Sequence, residues 1–132
     1  MSYLLDTHAF LWAVFATNKL SAKARKEIRS SENRICLSTI SFWEISLKFA
    51  LGKIELKNCK PNEMPDIAAQ MHIEIIQPTA QETASFYQLP KVKHKDLFAR
   101  MIIWQAIKQP LVLISKDADF PEYKECGLKV LW

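Results

Sequence analysis

The sequence is poor in glycine and cysteine, and its cysteines fit no common metal or disulfide pattern. It holds 2 glycines and 3 cysteines in 132 residues, 49% of which are hydrophobic, so disorder and low complexity are not expected. Cys36, Cys59 and Cys126 are widely spaced and odd in number, which argues against a structural zinc site and a secreted disulfide scaffold. A Gly-rich phosphate loop is also missing, so a small α/β phosphohydrolase that binds phosphate through such a loop is a weak hypothesis.

Long apolar runs and targeting signals are missing as well. No apolar stretch is long enough to cross a membrane, and the start lacks the basic segment and long apolar run of a signal peptide. We therefore expect a cytoplasmic protein without membrane association. The net charge of +4 and the pI near 9.0 favour an anionic partner, although a modest lysine excess is also common in proteins that bind nothing anionic.

Short apolar strands alternate with helical segments along the chain. A strand is predicted at the start, ending at Asp6, and further strands at 34–38, 74–76, 111–114 and 129–131. Helices are predicted at 8–16, 22–30, 39–51, 65–71, 80–88 and 97–108. This alternation predicts an α/β fold with parallel strands and helices on both faces, built as one domain over residues 1–132.

Three acids are predicted to lie at one edge of that sheet. Asp6 follows the first strand, Glu44 lies in the helix after the second strand, and Asp117 follows the fourth. Ligand sites of open α/β sheets lie at the carboxyl ends of the strands. Carboxylates suit Mg²⁺ or Mn²⁺, and two such ions about 4 Å apart would clamp a phosphodiester.

Each acid also has a structural interpretation. Asp6 can start a helix as its N-cap, Glu44 can pair with Lys48 one turn later, and Asp117 can form a turn. Taken alone, Glu44 is nearly even between the two interpretations, and Asp117 favours the turn. The three together favour a site.

Basic, histidine and tryptophan side chains complete the candidate residues. His8 starts an apolar helix and favours a capping or packing role, whereas His94 could contact RNA or orient Asp96. Neither histidine has a Ser or Cys partner that would indicate a nucleophilic triad. Trp43 and Trp104 are predicted to pack in the core. Basic residues predicted near the acids, which contact phosphates or are simply solvated, are Lys48, Lys91, Lys93, Lys95, Arg100 and Lys116.

Four motifs carry a resemblance that runs from end to end. They are LLDTHAFLW, STISFWEISLKFALGKIEL, HKDLFARMIIWQA, and LVLISKDADFPEY with a terminal VLW. The chain resembles the PIN-domain family, and within it the VapC-type ribonuclease toxins of type II toxin–antitoxin systems. The resemblance implies a PIN-like three-layer domain with a five-stranded parallel sheet flanked by helices. It also implies an Mg²⁺- or Mn²⁺-dependent endoribonuclease that cuts structured RNA (tRNA or rRNA), a VapB-type antitoxin that neutralises it, and a homodimer.

The resemblance assigns roles to single residues, and one position departs from it. Asp6, Glu44 and Asp117 match the first, second and fourth acids of the family. Asp6 and Asp117 would ligate the metal, and Glu44 would ligate it or position water. The family typically has HxDPFDR where this chain has HKDLFAR, so Ala99 occupies the place of the third acid. Loss of that carboxylate is expected to weaken metal binding and impair turnover, with Asp96 as a partial substitute.

Two explanations of Ala99 are open. It is a deliberate inactivating change in a toxic enzyme, or it is natural in a homologue that only binds its partner; the retention of the other three acids favours the first. The functional hypotheses are accordingly an impaired ribonuclease toxin and, as the alternative, a non-catalytic PIN-fold module that binds antitoxin or RNA. Asp119 adds a peripheral acid or caps a turn. Candidates for an apolar antitoxin groove, or else for ordinary core, are Leu11, Trp12, Phe15, Phe42 and Phe49.

Overall fold

The computed structural model describes residues 1–93 and 95–132. Within these residues five strands form one parallel sheet in the order β3-β2-β1-β4-β5, which confirms the predicted fold class. In β1, Leu4 lies opposite Cys36 of β2 and Leu113 of β4, so β1 is the central strand. The strands are β1 (Ser2–Leu5), β2 (Arg34–Ser38), β3 (Glu74–Ile76), β4 (Val112–Ile114) and β5 (Lys129–Leu131).

Both faces of the sheet are covered by helices. Neighbouring side chains of a strand point to opposite faces, and the neighbours Leu4 and Leu5 are both fully buried, each in a separate hydrophobic cluster. The helices are α1 (Thr7–Phe15), α2 (Ala22–Arg29), α3 (Thr39–Ala50), α4 (Met64–Gln70), α5 (Ala80–Ala84), α6 (Leu97–Lys108) and α7 (Pro121–Glu125). Short 3₁₀ turns lie at Thr17–Lys19, Pro61–Glu63 and Phe86–Gln88.

Two helical segments differ from the sequence prediction. The helix predicted at 80–88 is divided at Ser85 into α5 and a 3₁₀ turn. The indole N–H of Trp104 donates to the Glu82 carbonyl and the Ser85 hydroxyl at this division, so packing on α6 shapes the break. The sequence analysis predicts no helix where α7 lies, although Pro121 at its first turn is typical of a helix start.

The two tryptophans predicted as core residues have different environments. Trp104 is buried on α6, as predicted, with 4% of its surface exposed. The prediction for Trp43 is wrong, because 58% of its surface is exposed. Helix α3 packs with its Ser41, Glu44 and Ile45 side, so Trp43 lies on the other side. Among the described residues, none of the helices is long and apolar enough to span a membrane.

The parallel arrangement brings the strand ends to one edge of the sheet. Asp6 directly follows β1, and its backbone N–H donates to the carbonyl of Ile114, the last residue of β4, at 3.1 Å. Helix α3 begins at Thr39 directly after β2, and Asp117 lies three residues beyond β4. Residues that are distant in sequence therefore meet at this edge.

Candidate active site

An open cleft of about 210 Å³ lies at this edge, and the three predicted acids, Asp6, Glu44 and Asp117, line it. A larger groove of about 600 Å³ lies on α2, but basic and small residues line it, so the chemistry of the lining rather than the volume selects the acidic cleft. The lining of the acidic cleft consists of Asp6, Thr7, His8, Glu44, Lys95, Asp96, Ala99, Ile102 and Asp117.

Asp6 is at once a helix cap and a cleft residue. Its Oδ1 accepts the N–H of Ala9 at 2.7 Å and so caps α1, as the structural interpretation of the sequence expected. Burial raises the pKa of the Asp6 carboxyl, while the Ser115 hydroxyl, the Ala9 N–H and the charges of His8 and Lys95 act in the opposite direction. A carboxylate accepts up to about four hydrogen bonds, so capping leaves room for a cation.

Glu44 is the most buried acid of the cleft, with 5% of its surface exposed. Its Oε2 accepts a hydrogen bond from the Lys48 ammonium, and the same ammonium lies 3.5 Å from Asp96 Oδ2. The Glu44–Lys48 pair that the sequence left open is thus present, and Lys48 contacts two acids that line the cleft. Burial lowers the pKa of Lys48, but the ion pairs with Glu44 and Asp96 outweigh it and raise the pKa overall. Lys48 offsets the charge of a buried carboxylate that would otherwise be costly.

Helix α6 brings Asp96 and Ala99 to the same cleft. Asp96 is its N-cap, with Oδ1 accepting the Ala99 N–H at 2.8 Å. Ala99 lies in the first helical turn, and its methyl group lines the cleft beside the three predicted acids. A longer side chain at this position would therefore extend into the cleft. Asp96 also lines the cleft, but its second carboxylate oxygen, Oδ2, faces the Lys48 ammonium.

A PIN-domain family model matches residues 3–125 of the chain. The chain belongs to the PIN-domain family. PIN domains are in general nucleases that use divalent metal ions. No curated protein matches the chain significantly.

Solved structures similar to this PIN chain come from two-component complexes. VapBC2 from Rickettsia felis, bound to a DNA fragment from its promoter, is 19% identical with a TM-score of 0.66, covering 99% of this chain and 98% of the other. DNA-bound VapBC from Salmonella typhimurium is 15% identical with a TM-score of 0.61, covering 99% and 97%. FitAcB from Neisseria gonorrhoeae is 20% identical with a TM-score of 0.58, covering 98% and 96%. At these identities the similarity shows a shared fold.

The carboxylates of this PIN cleft are the kind of ligand that a divalent cation prefers, but too few of them lie close together to hold one. Asp6, Glu44 and Asp117 offer hard carboxylate oxygens, the ligands that Mg²⁺ and Mn²⁺ prefer. Within residues 1–93 and 95–132, however, no group of three or more Asp, Glu, His or Cys side chains is close enough to hold a metal ion. Ala99 lines the same cleft and offers no ligand atom.

Basic side chains of the PIN chain lie in two grooves beside the cleft, each of about 430 Å³. Lys93 and Arg100 line one groove, Lys116 lines the other, and Lys95 is shared by both and by the acidic cleft. Lys48 lies among the acids as described. Arg100 is largely engaged within the fold, since it donates to the Leu89 carbonyl at 3.2 Å and lies over the Phe86 ring. The predictions made for His94 lie outside the described residues.

The structure also places His8, Thr7 and Asp119. Of the two roles predicted for His8, packing is the one observed, because its ring stacks on Trp12 while Asp6 caps α1; His8 is exposed and lines the cleft as well. Thr7 also lines the cleft and donates to the Ser41 hydroxyl at 3.0 Å. Its position next to Asp6 was the available signal. Asp119 pairs with Lys124 at 2.6 Å and lines a neighbouring groove, not the acidic cleft.

An exposed apolar face lies on the outer side of α3 and the start of α6. Trp43 and Phe98 meet edge to face with ring centroids 5.1 Å apart, beside an apolar cavity of about 200 Å³. Leu47, Leu51 and Leu97 are also exposed. By contrast, most candidates for an antitoxin groove are partly buried and pack against the core: Leu11, Trp12, Phe15 and Phe42. Phe49 is exposed.

Proposed function

We propose that this chain is a VapC-type toxin, a metal-dependent endoribonuclease that cleaves structured RNA (tRNA or rRNA) by phosphodiester hydrolysis. Its single PIN-like domain spans residues 1–132, acts in the cytoplasm and is impaired because Ala99 replaces the third acid. The observation that carries the proposal is the meeting of Asp6, Glu44, Asp117 and Ala99 in one cleft of a PIN fold. Four separate elements supply these residues, so their meeting is not a local sequence effect.

Asp6 and Asp117 are proposed to hold Mg²⁺ or Mn²⁺, with Glu44 as a further ligand or a positioner of water. A bound ion would supply a more acidic water and charge compensation for the phosphodiester. The chain itself orients the donors: the α1 cap fixes Asp6, and burial on α3 fixes Glu44. Lys48 balances the charge of Glu44 in the cleft, and this ammonium competes with a metal for the same carboxylate.

RNA is proposed to enter along the basic grooves. Lys95 is the best-supported phosphate contact, because it lines the acidic cleft and both grooves. Lys93 lies in the groove that basic residues dominate, whereas Lys116 shares its groove with Asp117 and Asp119. Lys48 contacts Glu44 and Asp96. Arg100 is the weakest of the proposed contacts, because its guanidinium already binds within the fold. Positive side chains along such a path contact phosphates and make binding salt-dependent.

The decisive experiment restores the missing carboxylate with Ala99→Asp. RNA cleavage is measured for the original chain and the variant with Mg²⁺, with Mn²⁺ and with chelator. Since loss of even a supporting group at a metal site costs 10- to 100-fold, we expect the variant to cleave roughly a hundredfold faster or more. Chelator should abolish the cleavage.

Two matched variants separate the metal site from other effects. Ala99→Asn adds a side chain of similar size without charge and should restore no activity. Asp6→Asn in the Ala99→Asp background should remove the activity again. Cleavage that persists in chelator would contradict the metal mechanism, and failure of Ala99→Asp to cleave any RNA would favour the alternative below.

The alternative is a non-catalytic PIN-fold module that binds antitoxin or RNA. The observation in its favour is that Lys48 already occupies Glu44 and that no metal-binding group of three is formed by the described residues. This alternative predicts partner binding that survives Asp6→Asn and Asp117→Asn, and no cleavage after Ala99→Asp.

We propose two protein partners, a VapB-type antitoxin and a second copy of this chain. The similar solved structures are VapBC and FitAcB complexes, which supports an antitoxin partner. The exposed apolar face of Trp43, Leu47, Leu51 and Leu97 is assigned to the second copy. Protruding side chains lie there next to a cavity. A two-fold axis brings the same face of both copies together, so the protruding side chains of one copy can meet the cavity of the other.

A further inference from the structure

We propose that His8 is a stacking platform for a nucleobase of the RNA bound in the acidic cleft. This inference rests on the proposed function and deepens it, because it names a residue that positions the nucleotide next to the scissile phosphodiester. His8 lies two residues after Asp6 in the first turn of α1 and is exposed. It lines the same cleft as Asp6, Glu44, Ala99 and Asp117.

The imidazole of His8 is backed on one face by aromatic rings. Its ring stacks on Trp12, one helical turn later, with centroids 5.7 Å apart and planes 26° apart. Trp12 in turn contacts the Trp132 ring, again with centroids 5.7 Å apart. Trp12 and Trp132 both pack against the hydrophobic core. The exposed ring therefore rests on a fixed support and lines the cleft, where a second planar ring can be received.

A nucleobase is the planar group that this position fits best. A phosphodiester seated at the acids carries a base on either side, so a ring that lines the same cleft is within reach of a neighbouring nucleotide. Lys95, which lines the cleft as well, supplies a positive charge for the backbone. Proteins that bind single-stranded nucleic acid combine such basic grooves with aromatic side chains on which bases stack.

Structural duties do not account for the position of His8. The cap of α1 is made by the Asp6 carboxylate, and the described residues provide no metal-binding group that includes a histidine. Trp12 and Trp132 contact each other and pack against the core, whereas the imidazole on Trp12 is exposed. A stacking role is thus distinct from folding, and the two can be measured separately.

The test uses the unmodified chain and short single-stranded RNAs that carry the fluorescent base 2-aminopurine at successive positions. Base stacking quenches this fluorophore, so the quenched position reports the base on the platform. We expect the unmodified chain to quench one position strongly. His8→Ala should remove that quenching and weaken binding about tenfold.

Two further substitutions separate stacking from charge. His8→Phe keeps a flat ring without a charge and should retain both the quenching and the affinity. His8→Lys introduces a positive charge without a ring and should behave like His8→Ala. Tyr87→Ala removes an aromatic side chain that is 81% exposed outside the cleft, and it should change neither value. Thermal unfolding of each variant checks that the fold is intact.

The outcomes distinguish this inference from the proposed function. Equal binding and quenching by the unmodified chain and His8→Ala, rescue by Lys rather than Phe, or equal quenching of the same RNA in a duplex would overturn the platform. If the unmodified chain binds no RNA, the platform is also wrong, and cleavage by Ala99→Asp then decides separately whether the ribonuclease proposal stands.

Discussion

Single side chains in the cleft connect folding with the proposed chemistry. Asp6 caps α1 and lines the cleft, and Asp96 caps α6 and faces Lys48. Such double use explains why Asp6 admitted a structural interpretation from the sequence. A cap uses one side-chain oxygen, and a carboxylate keeps further acceptor sites beside it. Capping and ligand binding are therefore compatible in one residue.

The Lys48 contact gives the prediction at this scale. Lys48→Met leaves the buried Glu44 carboxylate without its cationic partner, and we expect the free energy of unfolding to fall by about 1–2 kcal/mol. Glu44→Gln in the same chain removes the charge and should restore most of that loss. Urea unfolding of the two single variants and the double variant measures the coupling. Additive effects in this cycle would show that the pair contributes nothing to stability.

At the scale of elements, side-chain caps fix where the helices start. Ser21, Ser38, Thr79, Asp6 and Asp96 each accept a backbone N–H in the first turn of the helix that follows. In α1 and α6 the capped turn also carries residues that line the acidic cleft. In α3 the capped turn carries Ser41, whose hydroxyl accepts a hydrogen bond from the cleft residue Thr7. The C-terminal ends of the described helices share no such common cap. Gly52, just beyond α3, adopts a φ of +71°, a conformation that glycine reaches without the strain other residues incur.

Helix α2 offers a cap that is separate from the cleft. The Ser21 hydroxyl accepts the Ala24 N–H at 3.0 Å, so Ser21→Ala should lower the free energy of unfolding by about 1 kcal/mol. Ser46→Ala, at an exposed position within α3, is the matched control and should change it little. RNA binding should be unchanged in both variants. A Ser21→Ala chain as stable as the original would contradict the assigned role of the cap.

At the scale of the whole molecule, the exposed apolar face is the feature that a monomer leaves unexplained. Trp43, Leu51 and Leu97 each expose more than half of their surface, at 58%, 59% and 59%. Large exposed apolar patches are typical of interaction sites. We expect the chain to be a dimer in solution, with this face at its centre.

Charge placed on that face should dissociate the dimer. In sedimentation experiments, the original chain is expected to have the mass of two copies. Trp43→Lys and Leu97→Lys should each have the mass of one, because a buried unpaired charge is costly in an interface. Ile75→Lys, at an exposed apolar residue on β3, is the control and should leave the dimer intact. An original chain that stays monomeric at all concentrations would contradict the assignment of this face to a second copy.

The sequence by itself determined the order of the strands, the fold class and the candidate acids. Local patterns suffice for these: apolar runs define the strands, Ser21 and Thr79 mark helix starts, and Asp6 and Asp117 follow strands. Strands β2, β3 and β5 and helix α6 were predicted with their observed bounds. The resemblance to PIN domains located Ala99, and the family match confirms that resemblance.

Only the tertiary structure decided how these residues meet. The pair of Lys48 with Glu44 is a local one, but Lys48 also reaches Asp96 because α3 packs beside the start of α6, and no local pattern contains that second contact. Trp43 is exposed because α3 turns another side to the core, and an apolar helix gives no clear choice between its sides. The same holds for the position of His8 in the cleft, which depends on where β1, β4 and α6 place their ends, whereas its stacking on Trp12 is a local contact within α1. Long-range packing sets these relations, whereas sequence patterns report local propensity.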